Sequence, residues 1–124
     1  MLQLMSIGLG GFAGAVARYL LDGWVSDRTA GQFPFGTLTV NLIGSFLLGL
    51  LFAITVDRSV LPAELRAPLG VGFIGAFTTF STLMLESWRL VEGGAAPLAA
   101  LNLAGSVALG LMAVVAGLAI GRAV

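Results

Sequence analysis

The stretch Gly72-Phe73-Ile74-Gly75-Ala76-Phe77-Thr78-Thr79-Phe80-Ser81-Thr82 sets two glycines, four hydroxyls and three phenylalanines inside a segment otherwise apolar enough to cross a membrane. A segment that only anchored the chain would hold leucine and valine here. Glycine and β-branched threonine are poor helix residues, and a cluster of them invites the backbone to leave helical geometry and expose carbonyls. In a bilayer, non-helical backbone survives only where protein or a water-filled cavity surrounds it. The stretch therefore predicts a break in a membrane helix, and the break predicts a functional site.

Outward from this point the chain is membrane protein throughout. Its 124 residues are 58% hydrophobic and 10% charged, outside the range of soluble domains. Four apolar stretches are separable, Leu2 to Leu21, Phe35 to Val56, Leu69 to Leu85 and Ala95 to Ile120, each close to the ~20 residues that span a ~30 Å hydrocarbon core. The reading is an all-α membrane protein, one domain over residues 1–124 with helices at about 2–21, 35–56, 69–89 and 95–120. The first stretch lacks a basic leader, and Arg18-Tyr19 stands where a small-residue cleavage site would be, so it reads as a retained helix. Pro34, Pro68 and Pro97 open helices two, three and four, Gly93-Gly94 breaks the chain before the last, and Trp24 and Trp88 fall at interfaces. The loop Leu61 to Ala67 reads as a short interfacial helical turn.

The chain has no Cys and no His, which removes disulfides, thiol and imidazole catalysis and the usual zinc and haem sites. No paired carboxylates are visible, and no enzyme is expected. So few charges offer nothing to nucleic acid, leaving the lipid bilayer and ions as partners.

With four spans, Arg58, Arg66 and Arg122 share one side of the membrane and Arg18, Arg28 and Arg89 the other. Three against three gives the positive-inside rule no direction to choose. A chain without orientation bias can insert both ways, which makes an antiparallel homodimer available. A repeat at a spacing of 61 residues runs through the sequence: Gly11-Phe12-Ala13-Gly14-Ala15 returns as Gly72 to Ala76, and Asn41-Leu42-Ile43-Gly44-Ser45 as Asn102 to Ser106. Each copy is a two-helix hairpin, so the copies run parallel, and any inversion must come from a second subunit.

Asn41, Ser45 and Gly49 stand at i, i+4 and i+8 and share one helix face, as do Asn102, Ser106 and Gly110. Small and hydroxylated residues are also ordinary packing material between membrane helices. Asn is dearer to bury, and its amide donors require partners. Arg18 and Glu86 lie late in their helices, where they can snorkel or face a vestibule. Phe77, Phe80 and the hydroxyls of Thr78, Thr79, Ser81 and Thr82 complete the set. Ring edges are electropositive and hydroxyls and amides donate hydrogen bonds, which suits a small hard anion without trapping it on a full charge.

Taken together and in order, several motifs are similar to the Fluc (CrcB) family of fluoride channels over essentially the full length. They are Gly10-Gly11-Phe12-Ala13-Gly14-Ala15 with Arg18-Tyr19; Gly36-Thr37-Leu38 with Asn41 and Gly44-Ser45-Phe46; Gly72 to Gly75 with Phe77 to Thr82; and Ser106 with Gly110. The resemblance implies passive fluoride export across the bacterial inner membrane that relieves fluoride toxicity, by an antiparallel, dual-topology homodimer with two pores. It implies a broken third helix where the backbone carbonyls matching Gly75 and Thr78 hold a structural sodium ion shared by the subunits. By position, Asn41 and Phe80 line the fluoride path, with Ser81, Thr82, Ser106 and Glu86 near it, Phe77 and Asn102 beside it, and Arg18 at the vestibule. Two departures stand out. The family commonly places a second phenylalanine where this chain has Leu83, and often a tyrosine where it has Asn102, which is expected to supply a replacement donor or alter conductance.

Two other classes compete. A small dual-topology proton-coupled exporter needs a titratable carboxylate deep in a helix, and the predicted first helix has none. A non-transporting assembly subunit would account for the glycine stripes but not for the third-helix cluster.

Overall fold

The computed structural model describes residues 1–124 as helices joined by short turns, with no strand. Helix α1 is Leu2–Ser26. Helix α2 is Phe35–Phe52, prolonged by a π-wound turn at Ala53–Asp57. A 3-10 turn at Ala63–Leu65 fills the predicted interfacial loop. Helix α3, residues 67–77, is π-wound over Ala67–Ile74 and closes with the α-turn Gly75–Phe77. Helix α4 is Phe80–Glu92 and α5 is Ala96–Ala123. Counting α3 and α4 as one interrupted span, four stretches are long and apolar enough to cross a membrane: Leu2–Ser26, Phe35–Asp57, Ala63–Glu92 and Ala96–Ala123. The protein is a multi-pass membrane protein.

The end of the first helix differs from the sequence reading. Helix α1 continues five residues beyond Leu21, through Asp22 and Gly23. Apolar content marks where a helix is buried in lipid, whereas backbone pairing carries it on into the polar interface. The third span is interrupted inside the stretch where the sequence predicts a break, at Thr78 and Thr79, whose ψ angles of 157° and 112° are extended. Its π-wound half contains Pro68, Gly70 and Gly72, residues that hold a helix least firmly to α geometry.

Packing follows the repeat. The chief neighbour of α1 is α3, and the chief neighbour of α2 is α5, so each hairpin helix lies against its own copy. Glycine makes the approach possible. A Cβ at Gly10 would run into the Pro68 carbonyl, one at Gly14 into the Phe73 carbonyl, and one at Gly72 would come within 2.6 Å of the Ile7 carbonyl oxygen. Between α2 and α5 the same holds for Gly49 against Val114 and Gly117 against Phe46. Without a hydrophobic drive between helices in lipid, such close backbone contact supplies the dispersion energy that holds them together.

Candidate functional site

The break after Phe77 leaves backbone groups that a helix would have paired. In a continuous helix the Thr79 N–H would reach the Gly75 carbonyl; here it donates to Asn41 Oδ1 at 2.8 Å. Asn41 Nδ2 donates in return to the Thr79 carbonyl at 3.1 Å. One side-chain amide thus pairs with both the N–H and the C=O of one residue, and it does so because Asn carries a donor and an acceptor side by side. The Gly75 carbonyl loses its i+4 partner, and the Thr78 carbonyl receives no amide N–H. Thr78 turns its own hydroxyl back to the Ile74 carbonyl at 3.0 Å.

Thr79 then starts α4. Its Oγ1 accepts from the Thr82 N–H at 3.2 Å, an N-cap, and donates to Thr82 Oγ1 at 2.9 Å, with Ser81 Oγ at 3.4 Å. The break brings a helix C-terminus and a helix N-terminus together in mid-span. Their dipole ends present partial negative charge on the α3 side and partial positive charge on the α4 side.

A cavity of about 220 Å³ opens from this point, lined by Thr79, Thr82, Thr37, Arg18, Tyr19 and Asp22. Thr37, 3% exposed on α2, donates from Oγ1 to Glu86 Oε1 at 2.9 Å, while Glu86 Oε2 is buried without a partner. Glu86 also borders a more open cleft of about 370 Å³ with Arg89 and Gln32. It therefore stands between the inner cavity and the outer cleft.

The remaining sequence-predicted residues divide. Phe80 is 74% exposed on the surface of the single chain, and Ser81 is exposed beside it. Phe77 lies in the core, 4% exposed, its ring stacked on Phe73 with centroids 5.8 Å apart, and is not brought to the cavity. Asn102 is also in the core, 1% exposed. Ser87 donates its hydroxyl to the Leu83 carbonyl at 2.7 Å, so it can only accept from Asn102, whose Nδ2 reaches it at 2.9 Å. That chain of donors fixes the amide: Oδ1, an acceptor, is the buried atom without a partner, and the Ser106 hydroxyl one turn along is another. The expected replacement donor at Asn102 is thus engaged elsewhere, because the buried Ser87 acceptor lies within reach. Leu83 is buried in the core and leaves Phe80 without a second ring.

Sequence reasoning gave no site role to Thr37, Ser87 or Asp22, although Thr37 stands in the motif Gly36-Thr37-Leu38. For Thr37 a signal existed: it stands four residues before Asn41 and extends the polar stripe of Asn41 and Ser45 by one turn.

A sequence model of the family described as "CrcB-like protein, Camphor Resistance (CrcB)" matches residues 5–118. The chain is 46% identical over 121 residues, 98% of each chain, to a "Fluoride-specific ion channel FluC" of Magnetococcus marinus. It is 47% identical over 107 residues, 86% of each chain, to a protein of the same name in Geobacter metallireducens. A third, in Hahella chejuensis, is 47% identical over 120 residues, 97% of this chain and 94% of that one. A match of this extent takes in all four spans and the interrupted third, and the chain belongs to the CrcB-like family.

Proposed function

We propose that this chain is a fluoride-selective channel, moving the anion passively across the bacterial inner membrane and so relieving fluoride toxicity. The observation that carries this reading is the break at Thr78 and Thr79, tied by Asn41 and opening onto a cavity that holds Arg18 and the Thr79 and Thr82 hydroxyls. Its named relatives are fluoride-specific ion channels, and no bond-making step belongs to the reading. Arg18 draws the anion to the vestibule. Hydroxyls and the second N–H of Asn41 replace water around it, and the edge of Phe80 guides it past the break. Ser81, Thr82, Ser106 and Glu86 stand along the way. Donors without a fixed full charge strip hydration while leaving the ion able to move on.

The functional unit in this reading is an antiparallel, dual-topology homodimer with two pores. The outward exposure of Phe80 and of Gly75 favours a second copy there. A sodium ion on the dimer axis would be held by the carbonyls of Gly75 and Thr78 from both subunits. The residues fit such an ion: both oxygens lack their helical partner, and hard cations take oxygen ligands. The bound ion supplies positive charge that holds two carbonyl ends together, with no carboxylate buried at mid-membrane.

Purified protein in liposomes loaded with fluoride, chloride or an organic cation tests the reading. Rapid fluoride efflux with chloride retained is expected; equal passage of both anions, or none, overturns it. Proton-driven movement of the organic cation would instead establish the exporter, for which Asp22 now provides a carboxylate within α1.

A further inference from the structure

The cavity beside the break contains a charge that the proposed path does not use. Asp22 follows Arg18 by one turn on α1, and both side chains line the same 220 Å³ space as Thr37, Thr79 and Thr82. Spacing of four would favour an ion pair between them, yet the chain's one salt bridge joins Arg122 to Asp57 at the opposite end. Instead, Asp22 Oδ1 accepts from the Ser26 hydroxyl at 3.3 Å. A Cβ at Gly36 would run into that same Oδ1, so glycine at the start of α2 makes room for the carboxylate. The carboxylate is thus seated between α1 and α2, apart from Arg18.

Thr37 on the same wall donates to Glu86, whose carboxylate borders the outer cleft and not this space. The cavity lining therefore combines one arginine, Arg18, with one carboxylate, Asp22. An unopposed arginine in a confined site would hold an anion, and conduction requires that it leave again. One carboxylate on the adjacent helical turn lowers the attraction without removing it.

We infer that Asp22 is a conductance-setting residue of the vestibule, a fixed negative charge that offsets Arg18 and limits fluoride accumulation there. The inference rests on the fluoride-channel reading. It predicts that neutralising Asp22 raises fluoride current where entry to the vestibule is limiting. The effect is about two- to fivefold for one unit charge roughly 10 Å from the ion in partly aqueous surroundings. Being electrostatic, it fades with salt, since the Debye length falls from about 30 Å at 0.01 M to about 3 Å at 1 M ionic strength.

The test is fluoride current in planar bilayers at low and high ionic strength for wild type, Asp22→Asn, Arg18→Gln and the double variant. Asp22→Asn should increase current at low salt and converge on wild type at high salt. Arg18→Gln should act oppositely, and the double variant should return toward wild type. Unchanged current in Asp22→Asn at low salt, or a change equal at both salts, overturns the inference. Wild type that carries no fluoride current overturns the channel reading instead. Since the chain has no cysteine, Asp22→Cys provides a second route. Modification by anionic, neutral and cationic methanethiosulfonates should rank current in that ascending order, and equal currents from the three adducts overturn the inference even where Asp22→Asn fails to fold.

Discussion

At Asn41 a single amide satisfies both backbone polar groups of Thr79, at 2.8 and 3.1 Å, in a setting where lipid offers no substitute. Asn41→Leu removes both partners while keeping the branched shape of the side chain. It should lower stability by about 1–3 kcal/mol, the cost of leaving buried polar groups unpaired, and abolish or severely reduce fluoride flux. Thermal unfolding in detergent and liposome flux measure the two effects, and wild-type flux in a folded Asn41→Leu protein would sink the pathway role. Asn102 is its repeat counterpart, yet it bonds a side chain, Ser87, where Asn41 bonds backbone. Ser87→Ala should leave the Asn102 amide without its acceptor and cost about 1–3 kcal/mol; adding Asn102→Leu should recover most of that loss. A double variant as unstable as the sum of its singles would show that the two residues are not coupled.

Between elements, glycine carries the packing. Gly14 on α1 and Gly117 on α5 admit the carbonyls of Phe73 and Phe46, so Gly14→Ala and Gly117→Ala should each push a helix pair apart and cut the yield of folded protein. Gly23 on α1 meets nothing within 4 Å, and Gly23→Ala should leave the fold intact or stabilise it by about 0.5–1 kcal/mol. Size-exclusion profiles and unfolding temperatures compare the three; equal tolerance at all three positions would refute the packing account. These glycines also show what the sequence discloses. Spans and the interrupted third helix were legible, because apolar length and a Gly/Thr cluster are local properties. The repeat was legible too, though not that each copy lies against its partner helix. Partner choice at Asn102 was not legible, since it depends on Ser87 of another helix arriving with its only hydrogen already committed to Leu83. Nor was the burial of Phe77 beside an exposed Phe80: both belong to one aromatic motif, and only the turn of the chain through Thr78 and Thr79 separates them.

Across the whole molecule, charge is spread so that neither membrane face prevails. Arg58, Arg66 and Arg122 lie at one end and Arg18, Arg28 and Arg89 at the other. Several of these are anchored locally: Arg122 pairs with Asp57 at 2.7 Å, Arg58 donates to the Val124 carbonyl at 2.8 Å, Arg66 donates to the Thr55 carbonyl at 2.7 Å, and Arg28 lies 4.2 Å from the Trp24 ring centroid. Those contacts form after insertion and are the same in either orientation, so they cannot bias it; the number of basic groups beside each end of the spans does. With the count even, the chain is expected to insert both ways in comparable amounts. Reporters fused to the carboxyl terminus, one active only in the cytoplasm and one only outside it, should both give signal. Two further arginines at that terminus should retain it in the cytoplasm, silence the outer reporter and reduce fluoride flux, because antiparallel pairing then lacks half its subunits. Coexpression with a copy given two arginines in the loop between α1 and α2 should restore flux, since that copy is biased the other way. Signal from one side only in the unmodified protein, or full flux from the biased copy alone, would defeat the antiparallel arrangement and, with it, a sodium ion shared across the dimer axis.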